Sequence, residues 1–295
     1  TTGIFYGTVD FDPGAGTTNL TSAGIDDIFI SKLDNAGNFI WAKTIGGISS
    51  DGGTSIAVDN SGNVYTTGFF QDTVDFDPGV GTSNLITMGN GSIFITKLDT
   101  TGNFIWAKIM GGMNRAAGFS IALDCFDNVY TTGYFEGTAD FDPGVGTNNL
   151  ISAGSEDIFI SKLDAAGSMN WAIRKGWPSI DWSYSIAVDC SGNVFSSGFF
   201  TSTADFDPGP GTSNLTSLGD RDIFISKLGP INVGITESSF ENTLSVYPNP
   251  FKVAINIDMG KSYEGVIVII RNSIGQEVLN ESHSGSNLLE VNIPG

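Results

Sequence analysis

An all-β repeat protein is the fold class that the 295-residue sequence predicts. The motif Asp-Phe-Asp-Pro-Gly begins at Asp10 and returns every 65 residues, without slippage, at Asp75, Asp140 and Asp205. The intervening chain is rich in Ile, Val, Phe, Tyr and Thr, which favour strands, and in Gly, which favours turns. A period of this length carries a supersecondary unit, not a single element.

Four strands are predicted within each period, at 55–59, 63–70, 92–99 and 103–109 of the second copy. Short hairpin loops join strand one to strand two and strand three to strand four. In each loop Asp caps a turn and Gly supplies a left-handed residue. Asp127 replaces Gly62 in the next copy, and aspartate is among the few residues that tolerate this conformation.

The third strand reads IFISKL or IFITKL in all four copies and is apolar over most of its length. This pattern predicts that neighbours cover both faces of each small sheet. Four-stranded sheets stacked around an axis meet that requirement, so we predict a β-propeller with one blade per 65 residues. A β-solenoid is the alternative, although its coils are normally much shorter. Trp41, Trp106 and Trp171 keep the same period and are predicted to be packing residues.

These segments resemble a known family. GNVYTTGFF after SIAVD, followed by IFISKLD and GNFIWAKTIGG, is similar to the bacterial SBBP repeat of seven-bladed β-propellers. The resemblance covers residues 1–228 and implies a fold, but almost nothing about a ligand. Thr1 aligns with the second strand of a blade, so we expect a fragment with roughly 14 strands, or about three and a half blades, in an open arc.

Residues 244–295 depart from the repeat and predict a small, truncated β-sandwich. Residues 229–243 are either a linker or the outer strand of the last blade. The opening of the second domain, followed by a strand and a Gly-Gln-x-Val hairpin, resembles the type A C-terminal sorting domain of the type IX secretion system. The residues that carry its sorting motif are Tyr247, Pro248, Asn249, Pro250 and Phe251.

That resemblance implies recognition by the type IX export machinery and a place on the outer cell surface or in the extracellular space. A generic Ig-like accessory domain is the alternative for this segment. No apolar run has the length of a transmembrane helix, so we expect no transmembrane segment.

Charge and composition exclude several function classes. The chain has 13 Lys and Arg against 32 Asp and Glu, a net charge of −19, which argues against nucleic acid because phosphate binding needs clustered cations. His283, placed in a polar loop and expected to be solvated, is the single histidine, and the two cysteines are Cys125 and Cys190. A Ser-His-Asp triad, a His-ligated zinc site and a CxxC redox centre are therefore nearly excluded, and we expect no enzyme activity in this chain.

The cysteines occupy equivalent turns of adjacent blades, and we predict that these turns are too far apart for a disulfide.

One face of the predicted propeller carries both the strand-two-to-three loops and the loops between blades. The repeated motif would place eight carboxylates there, and paired carboxylates beside a Gly turn suit calcium. The alternative is turn architecture alone, because Pro-Gly fits a turn centre that a preceding Asp caps. Four equal copies favour that structural role. The candidate calcium ligands are Asp10, Asp12, Asp75, Asp77, Asp140, Asp142, Asp205 and Asp207.

The loops between blades differ among the repeats, which makes them candidates for specific recognition. Aromatic side chains there can stack on sugar rings or anchor a protein, or can simply fill space between blades. The candidate ligand-binding residues are Phe119, Trp177, Asp181, Trp182 and Tyr184. We expect a binding, adhesion or scaffold module for a protein or a neutral glycan. The alternatives are an accessory propeller of a secreted hydrolase whose catalytic domain lies upstream, or a structural surface-layer component.

Overall fold

The computed structural model describes residues 1–209 and 211–229 and, beyond them, the strand segments 245–247, 254–258, 266–271, 277–283 and 288–292. The secondary structure of these residues is β throughout, and they contain no helix that is long and apolar enough to cross a membrane. The chain divides into two compact units, Thr1–Ile231 and Asn232–Gly295.

The first unit is a partial β-propeller of four consecutive antiparallel blades that follow the 65-residue period. Blade one contains β1 (Thr2–Phe5), β4 (Asp27–Leu33) and β5 (Phe39–Ile45). Blade two contains β6 (Gly52–Val58), β7 (Val64–Phe70), β10 (Ser92–Leu98) and β11 (Phe104–Gly112). Blade three contains β12 (Ala116–Leu123), β13 (Val129–Asp140), β14 (Asn149–Leu163) and β15 (Met169–Lys175). Blade four contains β16 (Trp182–Val188), β17 (Val194–Phe200) and β20 (Asp222–Leu228).

The predicted all-β propeller and its four strands per repeat are therefore confirmed, with ends that shift by up to three residues. Adjacent blades are also joined where β11 pairs with the far end of β13, at Gly111↔Asp140 and Gly112↔Ala139. Of the segment 229–243, predicted as a linker or an outer strand, residues 230–243 lie outside the described residues.

A second hairpin between strands two and three of each blade was not predicted. In blade three the two long strands supply it, because β13 and β14 pair again beyond a bulge, at Thr138↔Ile151 through Asp140↔Asn149. In the other blades it is a separate pair of three-residue strands: β2 (Thr8–Asp10) with β3 (Asn19–Thr21), β8 (Thr73–Asp75) with β9 (Asn84–Ile86), and β18 (Thr203–Asp205) with β19 (Asn214–Thr216).

Hydrophobic side chains fill the space between consecutive blades. The third strand of blade two shows why its sequence is so apolar: Ile93 and Ile95 pack toward blade three, whereas Phe94 packs toward blade one. All three are fully buried. Both faces of this strand are thus covered by neighbours, as the sequence predicts, and Trp41, Trp106 and Trp171 pack against the same inter-blade cores.

In blade four, the last described blade, only one face of the third strand is covered. Ile223 and Ile225 occupy the positions of Ile93 and Ile95, yet they are 84% and 81% exposed. Phe224, which points to blade three, is only 2% exposed. The exposure follows because no other blade of the described part packs against this side, while the repeat keeps the same apolar pattern.

The hairpin turns between strands one and two form as the sequence predicts. Asp59 Oδ1 accepts the backbone N–H groups of Ser61 and Asn63, each at 2.9 Å, and Asn63 Nδ2 donates to Asp59 Oδ2. Gly62 has φ of 84°, and Asp127 holds the equivalent place with φ of 60°. Aspartate therefore does adopt the left-handed conformation that glycine supplies in the other copies.

The prediction that the two cysteines stay apart is wrong. Cys125 and Cys190 form a disulfide with their Cα atoms 5.3 Å apart, and no free cysteine is present. The reason is that the first strands of adjacent blades crowd together: β12 lies against both β6 and β16. Equivalent turns at the ends of these strands are therefore closer than the roughly 7 Å limit for bridging.

In the second unit, β21 (Ser245–Tyr247), β22 (Ala254–Asp258) and β25 (Leu288–Asn292) form one antiparallel sheet. A separate antiparallel pair consists of β23 (Val266–Arg271) and β24 (Glu277–His283). His283 thus ends a strand and does not lie in the loop that the sequence predicts. Of the sorting motif, Tyr247 ends β21, and Pro248, Asn249, Pro250 and Phe251 lie outside the described residues.

Candidate binding surface

The repeated Asp-Phe-Asp-Pro-Gly motif folds its phenylalanine back into the blade. Phe76 follows the first strand of the hairpin and is fully buried, with its ring 5.2 Å from that of Phe70 and 5.1 Å from that of Phe94. Phe141 makes the same contacts in blade three, with Phe135 and Phe159. The phenylalanine, which the sequence analysis did not single out, anchors the hairpin to the core.

The two aspartates of each motif cap the same loop. Asp75 Oδ1 accepts the backbone N–H groups of Asp77, at 3.0 Å, and Ser83, at 2.7 Å. Asp77 Oδ1 accepts the N–H of Gly79 at 2.8 Å. Any side chain at Gly81 would collide with the other carboxylate oxygen of Asp77. The other three copies repeat these capping bonds.

This geometry accounts for the recurring aspartates through turn architecture. Backbone N–H groups hold the Asp10 carboxylate in its charged form and thereby lower its pKa. Within residues 1–209 and 211–229, no three Asp, Glu, His or Cys side chains converge as a metal-ligating group. Calcium at the repeated loops stays a prediction.

The loops between blades lie beside these hairpins, on the same face, as predicted. Gly46, in the loop from blade one to blade two, bridges to Asp75 of the next hairpin. Asp51, at the end of that loop, accepts the backbone N–H of Gln71 at 2.9 Å. Both kinds of loop therefore form one continuous surface.

Three of the predicted ligand-binding aromatic residues come together on strands, not on loops. Phe119 lies on β12, and Trp182 and Tyr184 lie on β16. Phe119 stacks on Tyr184 with ring centroids 5.4 Å apart, and Tyr134 of β13 stacks on Trp182 at 5.0 Å. We call Phe119, Tyr134, Trp182, Tyr184 and Phe199 the aromatic cluster.

Part of the aromatic cluster is accessible to solvent, and polar side chains contact two of its rings. Tyr184 is 50% exposed, whereas Phe199 is buried beneath it. The indole N–H of Trp182 donates to Glu156 Oε2 at 2.9 Å, and the guanidinium of Arg221 lies 4.5 Å above the Phe199 ring. These polar contacts hold the rings of Trp182 and Phe199 in place.

A cleft of about 200 Å³ opens beside the cluster, between blades two and three. It continues into a more polar cavity of about 390 Å³ that shares three of its lining residues. We call the first of these the aromatic cleft, and its principal lining residues are Phe69, Gln71, Asn90, Arg115, Phe119 and Tyr134.

The cleft exists because one position of the repeat varies in size. Ala117 lines the cleft, and the equivalent position in the next repeat is Trp182, which instead packs into the aromatic cluster. The space beside Ala117 is therefore left open between blades two and three. The change from Ala117 to Trp182 at equivalent positions of the repeat is the signal in the sequence that points to this cleft.

The two remaining predicted ligand residues lie elsewhere. Trp177 is 46% exposed in the loop between blades three and four and makes no ring contact with the aromatic cluster. Asp181 is fully buried, and its carboxylate accepts the backbone N–H groups of Trp177 and Thr201, both at 3.0 Å. The structure thus places Asp181 in a loop-capping role, buried away from the surface of the aromatic cluster.

Burial raises the pKa of Asp181 to about 6, and the nearby charge of Asp157 adds to that rise. A raised folded-state pKa means that the folded chain binds a proton that the unfolded chain releases between about pH 4 and 6. The stabilisation from this group is complete below about pH 4 and is lost as the pH rises through about 6. Relative to Asp181→Asn, the wild type should therefore lose unfolding free energy between pH 4.5 and 7.

Urea unfolding of both proteins at several pH values measures this difference. Asp189→Asn is the matched control, because hydrogen bonds from Asn193 lower the pKa of Asp189 and move its titration below this window. A wild-type difference from Asp181→Asn that stays constant from pH 4.5 to 7 would contradict the assignment.

Two family models match the chain. Residues 40–68 match the SBBP beta-propeller repeat, and residues 245–294 match the secretion system C-terminal sorting domain. The repeat match agrees with the observed blades. The sorting domain marks the chain for type IX secretion to the cell surface or the extracellular space.

Two other proteins are similar to this chain over part of its length. An uncharacterized WD repeat-containing protein of Acanthamoeba polyphaga mimivirus is 32% identical over 185 residues, which is 57% of this chain and 13% of that protein. The regulatory protein FlaEY of Caulobacter vibrioides is 23% identical over 247 residues, which is 84% of this chain and 24% of that protein. The chain thus spans only an eighth to a quarter of these relatives.

Proposed function

We propose that this exported propeller is a binding and adhesion module that takes an uncharged carbohydrate in the aromatic cleft. The observation that carries the proposal is that aromatic and polar side chains line the same cleft. The aromatic residues are Phe69, Phe119 and Tyr134, and the polar residues are Gln71, Asn90 and Arg115. Sugar rings present apolar faces to aromatic rings and hydroxyl groups to amides and guanidinium groups. The lining of the cleft supplies both kinds of group.

The negative net charge of the chain favours an uncharged ligand. A net charge of −19 repels polyanions at long range, and Arg115 is the one cation among the residues that line the cleft and its neighbouring cavity. Binding, not catalysis, is the proposed role, because none of these lining residues is a histidine, a cysteine or a paired carboxylate.

Calorimetric titration with cellohexaose, maltohexaose and mannohexaose tests the proposal. We expect saturable binding of at least one of these neutral hexasaccharides, weakened roughly tenfold or more by Phe119→Ala because a stacked ring is removed. Asn90→Ala should also weaken binding. Asn90 is exposed, and its contact with Met113 uses the backbone N–H, so this variant leaves the fold intact.

Phe126→Ala is the matched control, since Phe126 is 75% exposed beside the disulfide turn, at the opposite ends of the strands. Its binding should equal that of the wild type. If no neutral hexasaccharide binds, or if Phe119→Ala and Phe126→Ala behave alike, the carbohydrate proposal is overturned and a protein ligand becomes the reading to pursue.

A further inference from the structure

Three positions near the junctions between blades change together from one repeat to the next. Blade three and its outgoing loop carry Asp157, Arg174 and Asp181. The same positions one repeat earlier hold Ser92, Ile109 and Ala116, so both carboxylates and the guanidinium are absent together. The first copy holds Asp27, Thr44 and Asp51. It alone combines two carboxylates with no cationic residue.

The junction after blade three shows how the charges are arranged when a cation is present. Arg174 Nη1 lies 2.8 Å from Asp157 Oδ2 in a partly buried ion pair. A side-chain carbon built on Gly176 would lie 2.9 Å from Asp181 Oδ2 and 3.0 Å from Asp157 Oδ1. The two carboxylates therefore converge on one glycine, and arginine neutralises one of them.

The junction after blade one repeats the backbone hydrogen bonds of the two carboxylates, with Thr44 in place of the arginine. Asp27 Oδ2 accepts the backbone N–H of Ala23 at 2.8 Å, and Asp51 Oδ2 accepts that of Gly47 at 2.7 Å. The matching bonds after blade three come from Ala153 and Trp177. Asp27 is 1% exposed and Asp51 is fully buried, so neither charge is solvated.

Two oxygen atoms at this first junction lack partners. Asp27 Oδ1 and Thr44 Oγ1 are both buried and have no hydrogen-bond partner among the described residues. Asp157 Oδ1, at the junction after blade three, is unpartnered in the same way, so the distinguishing feature of the first junction is the threonine that stands where Arg174 stands later. The charged side chains that face the pair are Asp26 and Asp72, which are also acidic. None of the ion pairs among the described residues involves Asp27 or Asp51.

We propose that this junction binds a calcium ion through Asp27, Asp51 and Thr44, in the place that the Arg174 guanidinium takes two repeats later. Buried charges are retained in proteins when they are paired or coordinate a metal, and here no protein cation pairs them. Carboxylate and hydroxyl oxygens are hard ligands that suit calcium, whose remaining coordination positions backbone carbonyls and water commonly fill. The site is distinct from the repeated Asp-x-Asp-Pro-Gly loops.

Calcium titration of the chelator-treated chain, followed by calorimetry and thermal melting, tests the site. We expect one saturable ion and a rise in Tm of roughly 5 °C at a concentration about 100-fold above the dissociation constant. Thr44→Arg supplies the cation that blade three already has. It should raise the calcium-free Tm and abolish the calcium response.

Other variants keep the test decisive. Asp51→Asn should weaken calcium binding at least tenfold, whereas Asp157→Asn and the double variant Asp75→Asn/Asp77→Asn should leave it unchanged. If Thr44→Arg does not fold, Thr44→Val takes its place in the test. This variant keeps the shape of the side chain and removes only its hydroxyl, and it should weaken calcium binding. The proposal is overturned if calcium produces no heat and no Tm shift. It is equally overturned if the response survives Asp51→Asn or disappears in the Asp75/Asp77 double variant.

Discussion

Phe141→Ala should lower the free energy of unfolding of the propeller by about 3–5 kcal/mol, the usual loss when a buried phenylalanine is truncated. Phe141 is fully buried and packs edge-on against Phe135 at 5.3 Å and at 5.0 Å against Phe159. It also belongs to the core between blades two and three. Truncation of Phe141 would therefore open a cavity in this core and also release the hairpin from its blade.

Urea unfolding, followed by tryptophan fluorescence, measures this loss. Val145→Ala is the matched control, because Val145 lies in the same hairpin loop and is fully exposed. Its effect should fall within about 0.5 kcal/mol of zero. Equal losses for the two variants would mean that the phenylalanine does not anchor the hairpin.

The fold was predictable because the repeat constrains it at every level. The hairpin turns at Asp59 and Asp99, the doubly buried third strand and the periodic tryptophans all agree with one blade per period. The separate hairpin between strands two and three was not predicted. Its strands, such as Thr73–Asp75, have only three residues, too few for side-chain alternation to be recognised.

The candidate site was predictable only in part, because its residues depart from the repeat. Phe119, Trp182 and Tyr184 were recognised as variable aromatic residues, but their strand positions and their partner Tyr134 depend on how adjacent blades pack. Lys175 is a second residue whose position depends on how adjacent blades pack. It stands where Ile45 and Met110 stand in earlier repeats, and it is buried with a 2.6 Å hydrogen bond to Ser226.

The disulfide was mispredicted because distances between blades are not uniform. Equivalent turns far from the axis are separated by the thickness of a blade, but those at the first strands converge, which brings Cys125 to Cys190. Disulfides form and persist in oxidising compartments. The disulfide therefore agrees with export to the cell surface or extracellular space, independently of the sorting domain.

The double variant Cys125→Ser/Cys190→Ser should lose about 4 kcal/mol of unfolding free energy, because the bond closes a loop spanning a sequence separation of 65 residues in the unfolded chain. The loop contains most of blade three and the inner strand of blade four, so its constraint acts on the interface between them. Urea unfolding with and without dithiothreitol measures the loss. The reductant should destabilise the wild type to the level of the double variant and leave that variant unchanged. A wild type that is insensitive to the reductant, with a thiol assay confirming reduction, would contradict a stabilising crosslink, because native packing alone would then hold the two turns together.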